Sequence, residues 1–75
     1  MLVQRIRVAA IVSGSMEGVR DAVAGLPAAV TSHVVETGAG VLVTLERERR
    51  WPLPSRRRVI RGLQRQLGAI RRTVR

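Results

Sequence analysis

The sequence predicts a single α+β domain over residues 1–75, with elements in the order βαββαβ and a four-stranded antiparallel sheet carrying both helices on one face. Three observations lead there. Runs of Val, Ile and Leu alternate with other residues at period two, as half-buried strands do. Two further stretches carry apolar residues at helical spacing, each behind a serine that can cap a helix. Breaks built from Gly, Pro and Ser separate these elements.

Ile6, Val8, Ala10 and Val12 fall on one face of a first strand, and Arg5 and Arg7 on the other. Ser13, Gly14 and Ser15 end that pattern, and either serine can cap the next element. There Met16, Val19, Val23 and Leu26 recur at helical spacing beside Ala22, with Glu17, Arg20 and Asp21 opposite. Gly25 and Pro27 mark its stop. Residues 29–37 form a second strand with Val30, Ser32 and Val34 on one face and Thr31, His33 and Val35 on the other. Gly38, Ala39 and Gly40 make a tight connection into a third strand on which Val41, Val43 and Leu45 share a face.

From Arg47 the chain turns polar and runs into Trp51, Pro52, Leu53 and Pro54, whose prolines lack the donors a central strand needs. Ser55 then reads as the cap of a second helix, with Val59 or Ile60, Leu63 and Leu67 inward and Arg57, Arg58, Arg61 and Arg65 outward. Gly68 is placed to end it as the C′ residue. Residues 69–75 admit more helix, but Gly68 and the alternation of Ile70 with Val74 favour a short terminal strand. Two right-handed crossovers sharing one sheet then make the first and third strands central.

A chain of 75 residues builds one small core, here almost wholly from Val, Leu, Ile and Ala, since Phe and Tyr are absent and Trp51 is the lone aromatic. Without cysteine there are no disulfides, thiolate metal sites or Cys nucleophiles. The apolar start is broken by Gln4, Arg5 and Arg7, which neither a signal-peptide core nor a membrane span tolerates well, so a cytoplasmic setting is expected.

Charge is divided unevenly. Up to Leu45, Arg5, Arg7 and Arg20 cancel Glu17, Asp21 and Glu36; residues 46–75 hold eleven arginines against Glu46 and Glu48, and so the whole net charge of +9. Such an asymmetry points to an anionic partner: nucleic acid, an acidic protein surface or a membrane face.

Residues 13–46, with a Ser/Gly loop, a helix ending in Gly25, Leu26 and Pro27, and a hairpin closing in Val41, Leu42, Val43, Thr44, Leu45 and Glu46, resemble the small ferredoxin-like binding domains. The nearest in pattern are NapD-type signal-peptide chaperones, heavy-metal-associated domains and ACT-type regulatory domains. The likeness is one of fold and covers the first two thirds. Heavy-metal-associated domains need two cysteines in the first loop, where this chain has Ser13, Gly14, Ser15 and Met16. RNA-recognition modules of this topology stack bases on aromatics of their central strands, and acylphosphatases need an Asn; both are missing here. A NapD-like chaperone holds a peptide against its open sheet face and edge, and the residues here are compatible with that.

Catalytic chemistry finds little support. His33 is the single histidine and reads as a sheet-surface residue; Glu46 and Glu48, among arginines, read as ion-pair partners. The loop at residues 13–15 precedes a helix, which suits capping better than phosphate binding in the absence of a P-loop lysine. The expectation is therefore a non-enzymatic module without cofactor or metal. Its candidate anion-binding residues are Arg47, Arg49 and Arg50 in the leading segment, Arg56, Arg57, Arg58, Arg61 and Arg65 in the second helix, and Trp51, which either stacks beside them or covers the core.

The expected partner is nucleic acid, gripped through its phosphates, with an acidic protein surface as the alternative and a homo-oligomer or larger nucleoprotein complex as the setting. A second reading is a protein-interaction domain, either a peptide-binding chaperone or a small structural subunit. It would work through a sheet face of Arg5, Arg7, Thr31, His33, Val35, Leu42 and Thr44.

Overall fold

The computed structural model describes residues 3–50 and 55–74. Five elements follow in order: β1 (Val3–Val12), α1 (Met16–Ala24), β2 (Thr31–Thr37), β3 (Gly40–Arg50) and α2 (Arg56–Thr73). They form an α+β fold with a three-stranded antiparallel sheet in the order β1-β3-β2.

The expected terminal strand is replaced by helix, so the order is βαββα and the four-stranded ferredoxin-like sheet is not completed. Helix wins because Ile70 and Val74 continue the three- and four-residue steps of Val59, Leu63 and Leu67, and all five are buried. Gly68 lies inside α2 instead of ending it. A Cβ at Gly68 would meet open space, so the helix tolerates the glycine at the backbone-entropy cost of about 1 kcal/mol. Losing the fourth strand also moves β1. It was expected in the centre of the sheet; it forms one edge, and β3 alone is central.

Local signals fix the element ends. The Ser15 hydroxyl accepts the Gly18 N–H at 3.1 Å and the Ser55 hydroxyl accepts the Arg58 N–H at 3.3 Å, each capping its helix. At the hairpin, Thr37 Oγ1 donates to the Gly40 carbonyl at 2.7 Å and accepts the Ala39 N–H at 3.2 Å. Gly14 takes a φ of +153°, and a Cβ there would collide with the side chain of Val74. That contact seats the end of α2 against the loop leaving β1.

Register sets the two faces of the sheet. Val8 stands opposite Leu45, Ala10 opposite Val43 and Val12 opposite Val41, all beneath the helices. Val19 of α1 and the stripe of α2 close this layer, so among the described residues the fully buried core consists of aliphatic side chains. The other face stays open. Across it run rows of Ile11, Leu42 and Val35, then Ala9, Thr44 and His33, then Arg7, Glu46 and Thr31. Those rows contain every residue expected on that face except Arg5, which lies one row further on opposite Glu48.

Candidate functional site

The expected basic face exists on α2. At 100° per residue, Val59, Leu63, Leu67, Ile70 and Val74 occupy an arc of about 80°, while Arg57, Arg58, Arg61, Arg65 and Arg72 occupy an arc of about 100° on the other side. All five arginines are exposed. From Arg57 to Arg72 the stripe runs about 22 Å at 1.5 Å per residue. The helix has no acidic residue, and among the described residues none of its arginines forms an ion pair.

Its first turn is electrostatically unfavourable. Arg56, Arg57 and Arg58 stand at the positive end of the helix dipole, where a carboxylate would be stabilising, and Arg71 and Arg72 stand at the end that favours cations. Arg56 is exposed but shares the azimuth of the packed stripe, so it belongs to the end of the helix and not to the outer face. Sequence reasoning missed Arg71 and Arg72 because the tail was read as strand. The repeating apolar step through Ile70 and Val74 was the signal that could have found them.

The three leading arginines do not act as one group. Arg49 is half-buried and its Nε donates to Gln4 Oε1 at 2.8 Å, across from it on β1. Arg47 is exposed and continues the alternation of the helix-covered side, whereas Arg50 is exposed on the open face opposite Val3. The eleven C-terminal arginines therefore do not share one surface: the α2 stripe gathers five, Arg50 lies on the open face of the sheet, and Arg49 bonds Gln4. Trp51 lies outside the described residues.

The acids of β3 are ion-paired as expected, though one is not exposed. Arg7 holds Glu46 through Nε and Nη2, and Glu46 is 7% exposed although it stands on the open face. Burying a carboxylate is costly unless it is paired, and here the guanidinium opposite supplies that pairing. Arg5 and Glu48 lie 3.7 Å apart and are both about two-thirds exposed, so their attraction is largely screened.

Beside these pairs, where β3 extends past the start of β2, an open cleft of about 560 Å³ is lined by Arg5, Arg47, Arg50, Thr31, His33, Glu46 and Glu48. Both carboxylates in it are engaged by arginine. His33 is exposed on β2 opposite Thr44, as a sheet-surface residue should be. Among the described residues no group of three or more His, Asp or Glu could hold a metal ion, and no helix is long and apolar enough to cross a membrane. No family model, curated protein or solved structure matches the chain.

Proposed function

We propose that this chain is a non-enzymatic binding module that docks on the phosphate backbone of nucleic acid through the outer face of α2, within a cytoplasmic nucleoprotein assembly. One observation carries the reading: Arg57, Arg58, Arg61, Arg65 and Arg72 share the face of an acid-free helix whose opposite face is fully committed to the core. Guanidinium groups one turn apart repel each other, and phosphate oxygens relieve that repulsion while accepting forked hydrogen bonds. The stripe offers charge without aromatic side chains among the described residues, so it favours backbone contacts over base readout.

Fluorescence anisotropy with a labelled duplex, repeated across a salt series, tests this. About five phosphate contacts give a log–log slope of roughly −4 to −5 against salt. The combined change of Arg57, Arg58, Arg61 and Arg65 to Gln is expected to remove most of that slope, about one per arginine. Arg5→Gln is the matched control; Arg7 is not, because it holds Glu46. Binding that ignores salt, or that survives the fourfold change, removes the proposal.

An acidic protein surface is the alternative occupant of the same stripe. The apolar row of Ile11, Leu42 and Val35, with Ile11 40% and Val35 56% exposed, favours a protein contact on the sheet as a second reading. Recovery of one protein from nuclease-treated lysate, lost on Val35→Asp, would support it.

A further inference from the structure

We infer that the outer edge of β1 pairs antiparallel with β1 of a second copy of this chain, joining two three-stranded sheets into one of six strands. Ten residues of β1 are in unbroken register with β3 on one side and, among the described residues, have no strand on the other. Edges of that length are normally blunted by a proline, a bulge or charges presented to the newcomer. β1 has no proline and no bulge. Its two charges, Arg5 and Arg7, each have a carboxylate of β3 beside them, Glu48 and Glu46, so neither presents an uncompensated charge to the edge.

The sequence of β1 selects the partner, because it complements itself. With Val8 on the two-fold axis, Arg7 stands opposite Ala9, Arg5 opposite Ile11, Ile6 opposite Ala10 and Gln4 opposite Val12 of the other copy. Every large side chain except the axial Val8 and the terminal pair then meets a small one or the aliphatic stem of an arginine, and no like charges are directly opposed. Sliding the register to bring Arg7 opposite Arg7 would oppose like charges, so that alternative is disfavoured. Nine paired residues span about 30 Å and exchange on average one hydrogen bond per opposed pair. Exposed Ile11 and half-buried Val8 and Ala10 gain cover in the process.

A two-fold contact of this kind also fixes how the helices meet. The flank of α2 facing α1 carries Gln66, Ala69 and Thr73, so the flank toward the open edge carries Ile60, Gln64, Arg57 and Arg71. Two such flanks bring arginines of both copies near each other, and salt screens that repulsion. The dimer therefore tightens as salt rises, opposite in sign to phosphate binding, and its formation does not depend on whether nucleic acid is the ligand.

Sedimentation velocity of the full chain without nucleic acid decides the matter, at about 50 mM and about 500 mM NaCl, where the screening length shrinks several-fold. The expected result is a monomer–dimer equilibrium that tightens at the higher salt. Ala9→Lys opposes a cation to Arg7 of the partner twice per dimer and is expected to weaken it about tenfold, whereas Ala9→Glu tightens it. Ala9 is exposed, so both variants should keep the circular dichroism of the parent. A monomer at every salt up to about millimolar protein, the range in which even weak specific pairs associate, overturns the inference. So does a dimer indifferent to both substitutions.

Discussion

The two helices begin alike and are held in place differently. Each opens with a serine whose hydroxyl caps the third N–H beyond it. After that α1 follows local rules: Glu17 stands in its first turn, where the dipole favours an anion, and it needs a single fully buried contact, Val19. α2 is twice as long, 18 residues against 9, opens with three arginines, and buries five residues counting Val74 just past its end. A helix whose surface charges oppose it locally owes its stability to its packed face. This open disagreement between local electrostatics and fold is what supports the proposal that the outer face of α2 serves an anionic partner.

The largest expected effect removes that packed face. Leu63→Ala is expected to cost about 3 kcal/mol by urea denaturation, and in a domain this small the whole chain should unfold at lower urea, sheet included. If α2 melted alone and left the sheet signal intact, the packed face of α2 would not be what holds the sheet folded. Next comes Gly68→Ala, expected to stabilise by about 1 kcal/mol and raise the melting temperature, because the new methyl meets open space inside a continuous helix. A lower melting temperature would mean that the helix stops at Gly68. The smallest effects set the two first turns against each other: Arg57→Glu should stabilise and Glu17→Gln destabilise, each by a few tenths to about 1 kcal/mol at low salt. Equal signs in thermal melts would show that the dipole argument does not separate the helices.

Much of the fold could be read from the sequence, since caps, turns and period-two faces are local. Ser55, the Gly38–Gly40 turn and the inward faces of the strands were legible for that reason, and Ser15 was one of two serines able to supply the first cap. The tail was not, because Ile70 and Val74 lie four apart, a spacing that suits the same face of a strand and of a helix alike. Gly68 tipped the reading towards a stop, and only the docking of Val74 beside Gly14 and Gly18 reveals what the tail packs against. Of the candidate site, the outward arginines of α2 were visible from helical spacing. The capture of Arg49 by Gln4 and the burial of Glu46 under Arg7 depend on the register of strands about forty residues apart, which no local pattern encodes.

The central place of β3 has a consequence for how the molecule comes into being. Neither β1 nor β2 touches the other, so every rung of the sheet waits for the third strand to be made. During synthesis β1 is therefore made before any strand it can pair with, and its partners on β3 follow 29 (Val12 to Val41) to 47 (Val3 to Arg50) residues later. Assembly is governed by that delay. The β2–β3 hairpin, with its short turn, is expected to close before β1 is recruited over the longer loop, and until then a nascent chain is open to pairing with the wrong neighbour.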